Sequence, residues 1–65
     1  MIRSNLKELM EKKGVTLKRM VEDTGLAEMT LIRARRDQIG RCRLDTLVIM
    51  AKYLGCTVND LFEED

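Results

Sequence analysis

Apolar residues recur at helical spacing along most of the chain. Between residues 2 and 13 they stand at Ile2, Leu6, Leu9 and Met10, with charged residues on the other side, which is the pattern of an amphipathic helix. The same pattern continues at about residues 17–24, 27–36 and 45–54, and a last short segment follows Thr57. The predicted inner faces, including the loop residues that anchor the turns, are Met20, Val21, Leu26, Leu31, Ala34, Ile39, Leu47, Met50, Ala51, Leu54, Val58, Leu61 and Phe62. The pattern therefore predicts an all-α fold of five helices.

Glycines and capping residues stand where these helices are expected to begin and end. Gly14, Gly25 and Gly55 follow the first, second and fourth segments, and glycine suits the left-handed residue that ends a helix. Thr16 is a good N-cap for the second helix. Thr57 and Asp60 have the spacing of a capping box, which predicts a fifth helix after Thr57.

The chain has 65 residues, so we expect one domain over residues 1–65. It contains no proline, which agrees with a helical fold. Its net charge of +1 hides an asymmetry, because residues 1–43 carry +5 and residues 44–65 carry −4. Arginines are concentrated at Arg33, Arg35, Arg36, Arg41 and Arg43. This distribution favours a polyanionic partner; the alternative is that the charges only solvate the surface.

The candidate chemistry of the chain is limited. It has no histidine and only two cysteines, Cys42 and Cys56, so we expect no metal site, no cofactor and no general acid–base catalysis: the protein is not an enzyme. Cys56 is expected in the core, whereas Arg41 and Arg43 are expected to lower the pKa of Cys42, which allows a redox role there. No signal peptide or membrane-length apolar run is visible, so we expect a cytoplasmic protein without membrane contacts.

The stretch TLKRMVEDTGLAEMTLIRARR at residues 16–36 places one glycine between two helical segments, the second of them basic. Together with Gly14 and the ending LDTLVIMAKYLGCTVNDLF, it resembles the lambda repressor and Cro-type helix-turn-helix family, also called the Xre family. The resemblance covers nearly the whole chain. It implies a compact five-helix domain whose third helix reads the major groove of double-stranded DNA.

The resemblance also implies which residues contact DNA. By position, the residues that contact bases are Ala27, Glu28, Met29, Ile32 and Arg33. The residues that contact phosphates are Thr16, Leu17, Lys18, Arg36, Gln38, Arg41 and Arg43. Three positions depart from the family pattern: Leu17 stands where glutamine is common, Val21 where alanine is preferred, and Ala34 where leucine is usual.

Several of these residues have two interpretations. Arg33 either contacts a guanine or remains a solvated or phosphate-binding arginine, and Arg35 either contacts a phosphate or turns toward the first helix. Met29 and Ile32 either touch thymine methyl groups or cover the helix edge. Glu28 repels phosphates unless it accepts a hydrogen bond from cytosine N4.

A regulator of this kind is expected to act as a homodimer on paired half-sites. One candidate dimer surface is the apolar pair Val48 and Ile49 on the fourth helix, to which Tyr53 can contribute, and Phe62 with the chain end is a rival surface. The alternative is that Val48 and Ile49 are ordinary scattered apolar residues of the surface. The sequence thus favours a sequence-specific DNA-binding protein, a bacterial or phage transcriptional regulator with no small-molecule substrate. The alternative is a protein-interaction module that has the fold but does not bind DNA.

Overall fold

The computed structural model describes residues 1–64, and their backbone is mostly helical. These residues form four α-helices, two short strands and two single 3-10 turns. In chain order the elements are β1 (Ile2–Ser4), α1 (Leu6–Lys13), α2 (Leu17–Thr24), α3 (Glu28–Ala34), the first 3-10 turn (Ile39–Arg41), α4 (Leu44–Leu54), the second 3-10 turn (Val58–Leu61) and β2 (Phe62–Glu64).

The core is formed by the inner faces that the periodicity predicts. Its buried members among the described residues are Leu6, Met10, Met20, Leu31, Ala34, Ile39, Leu47, Met50, Ala51, Leu54 and Leu61. Each helix contributes at least one of them, and so does each 3-10 turn. Every buried residue in this set is one that we expected inside, because the 3.6-residue period determines which side of each segment is apolar.

The two ends of the chain differ from the prediction. The first helix was expected from Ile2, but it begins at Leu6, and Ile2–Ser4 pairs antiparallel with Phe62–Glu64. The fifth helix is a single 3-10 turn, after which Phe62 is extended, with φ −150°. The fold is therefore four helices and a small sheet, not five helices, and it is not purely all-α. The pairing joins residues from opposite ends of the sequence, which local periodicity does not show.

The predicted caps are present. Thr16 Oγ1 accepts a hydrogen bond from the Arg19 backbone N–H at 3.2 Å. The Thr57 backbone N–H donates to Asp60 Oδ2 at 3.0 Å, as a capping box requires, although the element that it starts is the short 3-10 turn. Gly25 ends α2 with φ +74°, a left-handed conformation that strains other residues. These local signals thus fix the helix ends even where the type of helix differs.

α3 is shorter than predicted, because it ends at Ala34 rather than at Arg36. The Ser4 hydroxyl donates to the Ala34 carbonyl oxygen and accepts from the Leu6 backbone N–H at 3.2 Å. The Ala34 carbonyl oxygen, which would accept a backbone hydrogen bond if the helix continued, is thus bonded to a side chain of β1 instead. In addition, the Ser4 backbone N–H lies 3.4 Å from Asp37 Oδ1. Ser4 therefore connects the start of α1 to the end of α3 and the loop that follows.

Candidate nucleic-acid interface

The turn between α2 and α3 sets the orientation of α3. The Thr24 hydroxyl donates to the Met20 carbonyl oxygen at 2.6 Å and accepts from the Leu26 backbone N–H at 3.2 Å. Leu26 packs against the core, and Leu31 is completely buried. Because both ends of this turn and the inner side of α3 are held, the opposite side of α3 faces outward.

The outer side of α3 carries most of the residues that were expected to contact bases. Ala27, Glu28 and Arg33 are exposed, and 55% of the Met29 surface is accessible. Ile32 is only half-buried. It lies in a surface depression that it shares with Lys7, Arg35 and Arg36. Arg35 is half-buried and lines this depression with Lys7 of α1, as expected if it turns toward the first helix rather than toward a phosphate.

A cleft of about 470 Å³ separates α3 from the first 3-10 turn. Arg33 of α3 lines it together with Gln38 and Arg41 from the loop, and with Thr30 and Cys42. The lining holds two cations and no carboxylate. The fold therefore brings one of the expected base-contacting residues next to two of the expected phosphate-contacting residues.

The start of α2 holds three further expected phosphate contacts, Thr16, Leu17 and Lys18. Lys18 is exposed, whereas Leu17 is half-buried and packs against the core. The Thr16 side-chain oxygen already accepts from the Arg19 N–H. The groups left to meet a phosphate here are the Lys18 ammonium and the first backbone N–H groups of α2, which have no intrahelical acceptor.

Arg36 and Arg43 border the loop after α3. Arg36 is exposed in the turn that follows the helix. The Arg43 guanidinium lies 3.3 Å from Asp45 Oδ2, and both side chains are highly exposed. An exposed pair of this kind contributes little to stability. Arg43 can therefore leave Asp45 and bind another anion with little loss of free energy.

The environment of Cys42 contradicts the expectation for its thiol. Cys42 is half-buried against the core, and burial raises its pKa, only partly opposed by the positive charge of Arg33. The predicted lowering by Arg41 and Arg43 was wrong, because desolvation outweighs the nearby charge. Cys56 also packs against the core, as predicted, and burial raises its pKa too.

The candidate dimer residues divide into two groups. Tyr53 and Phe62 are half-buried and pack against the core, and the Tyr53 hydroxyl donates to Asp23 Oδ2 at 2.5 Å. That hydrogen bond, followed by the contribution of Arg19 at 3.1 Å, lowers the pKa of Asp23. Tyr53 therefore holds α4 against α2.

Val48 and Ile49 border a shallow groove on α4 that also includes Leu44, 69% exposed. Leu44 was not among the residues predicted for this surface, because the fourth helix was expected to begin at Asp45. The spacing of Leu44 and Val48, four residues apart, is the signal that could have found it.

Neither a metal centre nor a membrane helix is found in residues 1–64. These residues contain no cluster of three or more metal-ligating side chains. None of the helices described above has both the length and the apolar character needed to cross a bilayer.

Comparison with known proteins gave one match. A family model described as the Cro/C1-type HTH DNA-binding domain matches residues 5–64. Searches of curated proteins and of solved structures gave no significant match. The matched range contains all four helices and β2, and the helix-turn-helix at α2 and α3 lies in its first half.

Proposed function

Because the chain belongs to the Cro/C1-type helix-turn-helix DNA-binding family, we propose that it binds double-stranded DNA with sequence specificity, with α3 in the major groove. The observation that carries this proposal is the exposed outer side of α3 together with the adjacent cationic cleft, which Arg33 of α3 lines with Gln38 and Arg41 of the following loop. In this proposal the protein is a cytoplasmic, nucleoid-associated transcriptional regulator of bacterial or phage origin.

Base readout is assigned to the exposed side of α3. The Arg33 guanidinium has the two parallel donors that match guanine O6 and N7. Glu28 can accept a hydrogen bond from cytosine N4, and Met29 can contact a thymine methyl group. Ala27 and Ile32 complete the contact surface at the start of the helix and at its edge.

Phosphate binding is assigned to two sites that border α3. One is the start of α2, where the Lys18 ammonium acts together with the backbone at Thr16 and Leu17. The other is the loop after α3, which supplies Arg36, Gln38, Arg41 and Arg43. Contacts of this kind fix the register of the protein on DNA without reading the sequence.

Two arginine substitutions test this division. Arg33→Ala should weaken specific binding by about 1–3 kcal/mol and relax the preference at one base pair, whereas Arg36→Ala should weaken binding to all sequences similarly and reduce the salt slope by about 1. Arg33→Lys is the matched control, because it keeps the charge but loses the bidentate geometry. An unchanged base preference in sites selected by Arg33→Ala would remove Arg33 from the readout.

A second function is favoured by one observation, the exposed apolar residues Leu44 and Ile49. They allow the domain to act as a protein-interaction module that does not bind DNA. Titrating random duplex DNA at two salt concentrations separates the alternatives, since only a DNA-binding protein loses affinity steeply as salt increases. Absence of duplex binding at low salt would leave the interaction module as the better account.

A further inference from the structure

The cleft between α3 and the first 3-10 turn carries positive charge that no described residue neutralises. Its lining includes Arg33 and Arg41, which are both exposed. In the described part of the chain the ion pairs involve Arg3, Arg19 and Arg43, so neither guanidinium of the cleft has a carboxylate partner. Two unpaired like charges at one cleft repel each other, and an anion bound between them would relieve this repulsion.

The carboxylates nearest to the cleft in sequence face other groups. Asp37 Oδ1 lies 3.4 Å from the Ser4 backbone nitrogen. Asp45 Oδ2 lies 3.3 Å from the Arg43 guanidinium. The Cys42 thiol, which also lines the cleft, adds no negative charge at neutral pH because burial raises its pKa. The cleft is therefore cationic throughout.

The core holds both walls of the cleft, so the two guanidiniums extend from a fixed backbone. Leu31 and Ala34 bury the inner side of α3, and Ile39 buries the first 3-10 turn. In that turn the Arg41 backbone N–H donates to the Gln38 carbonyl oxygen at 2.9 Å. A site whose walls are set before the ligand arrives loses less conformational entropy when the ligand binds.

We propose that this cleft binds a small phosphate monoester, and that the bound monoester competes with DNA. The two guanidiniums match the charge of about −2 that a monoester carries at neutral pH, whereas each phosphodiester of DNA carries a single negative charge. Arginine donates in a planar fork that fits phosphate oxygens, and the Thr30 hydroxyl and the Gln38 amide are further donors on the lining. The cleft volume of about 470 Å³ lies within the range of small-molecule sites, so there is room for the group that the phosphate esterifies.

The site itself does not depend on DNA binding and goes beyond the proposed function; only the competition rests on that proposal. Arg33 is assigned to base readout and Arg41 to a DNA phosphate, so a monoester bound in the cleft withdraws both residues from DNA. The affinity for DNA would then decrease as the concentration of the monoester increases. The domain would thus respond to phosphorylated small molecules.

The direct test titrates the free protein with ribose 5-phosphate and follows the backbone amides by NMR. Saturable shifts are expected at the lining residues, Thr30, Arg33, Gln38, Arg41 and Cys42. The dissociation constant should be about 1 mM, which is the affinity that a ligand of about 14 heavy atoms reaches at the usual ligand efficiency. Ribose, which lacks the phosphate, and sodium chloride at matched ionic strength should give no saturable shift. Inorganic phosphate should bind at least about threefold more weakly, because it lacks the esterified group; equal affinities would overturn the monoester as the ligand.

Three charge-removing variants locate the site. Arg41→Gln and Arg33→Gln each remove one of the two guanidiniums, so each should weaken the binding of ribose 5-phosphate at least about tenfold. Arg35→Gln is the matched control on α3, because Arg35 lines the depression that contains Lys7 and not the cleft; it should keep the affinity within about twofold. Circular dichroism should show wild-type helicity in all three variants. An equal loss of affinity in all three would show that only net charge matters and would overturn the cleft as the site.

The competition is measured with a labelled duplex that contains a half-site obtained by selection. At about 10 mM, ribose 5-phosphate should weaken duplex binding about tenfold more than sodium chloride of the same ionic strength does. An equal effect of the two salts would overturn the competition. Duplex binding without saturable amide shifts would refute this inference and leave the proposed function intact. Saturable shifts in a protein that binds no duplex would support the cleft site and refute both the competition and the proposed function.

Discussion

Replacing Leu31 by alanine removes three carbon atoms from the point where α3 meets the core. Leu31 is completely buried, and Met20, Ile39 and Met50 belong to the same cluster. At about 0.8 kcal/mol for each methylene-sized group, the loss of transfer free energy alone is about 2.4 kcal/mol. The cavity that remains raises the expected destabilisation to about 2–5 kcal/mol.

This loss is large for so small a domain. At about 0.05–0.15 kcal/mol per residue, a chain of 65 residues has a free energy of unfolding of about 3–10 kcal/mol. Urea denaturation followed by circular dichroism measures the change directly. The thermal midpoint should fall by at least about 8 °C, since 1 kcal/mol corresponds to about 4–8 °C in domains of this size.

The neighbouring residue provides the control. Ile32→Ala removes a similar volume from the same helix, but Ile32 is only half-buried, so it should destabilise the domain less than Leu31→Ala does. If the two substitutions had equal effects, or if Ile32→Ala were the more harmful, the inner and outer sides of α3 would be assigned wrongly. The base-contacting set Glu28, Met29 and Arg33 would then lose its structural support.

Three other substitutions test hydrogen bonds and backbone conformation. Ser4→Ala should cost about 1–3 kcal/mol in urea denaturation, because it leaves the Ala34 carbonyl without its donor; a wild-type midpoint would show that β1 does not hold the end of α3. Tyr53→Phe should raise the pKa of Asp23 toward its ordinary value. The pKa of Asp23 is lower in the folded domain than in the unfolded chain, so ionised Asp23 stabilises the domain at pH values above its unfolded pKa. This stabilisation is lost as the pH falls through the folded pKa. A carboxyl NMR titration between about pH 2 and 6 should show the rise, and an unmoved titration would exclude the Tyr53 hydrogen bond as its main cause. Gly25→Ala should cost about 1–2 kcal/mol in thermal denaturation, because φ is +74° there; no loss would mean that the turn adopts another conformation.

The sequence predicted the core and the caps because both depend on neighbours a few residues apart. The apolar stripe of α4, for example, follows from Leu47, Met50 and Leu54, which repeat every three or four residues and are all buried. The turn at Gly25 follows from the residue type that adopts left-handed backbone angles most readily. Once Leu31 and Ala34 are placed on the buried side of α3, the residues on its exposed side follow from the helical period.

The features that the sequence did not predict depend on contacts between distant residues. Ile2 pairs with Glu64, and Ser4 bonds the carbonyl of Ala34, so neither the sheet nor the early end of α3 leaves a local signal. The Cys42 pKa was predicted in the wrong direction because the sequence shows neighbouring charges but not burial. The residues assigned to DNA contact remain predictions that the binding experiments test.

The pairing of β1 with β2 has a consequence for the order of folding. Arg3 and Glu63, which form an ion pair at 3.4 Å, are 60 residues apart, whereas the helices form from neighbouring residues. Closing so long a loop is favourable only after the helices have packed, so we expect the sheet to form last and to separate first. Weakening the sheet should then speed unfolding more than it slows folding. Ser4, whose hydroxyl bonds the Ala34 carbonyl oxygen, belongs to β1. Each separation of the two strands would therefore also release the end of α3. Fraying of the chain ends would then loosen the loop that carries Arg36 and Arg41, while the core stays intact.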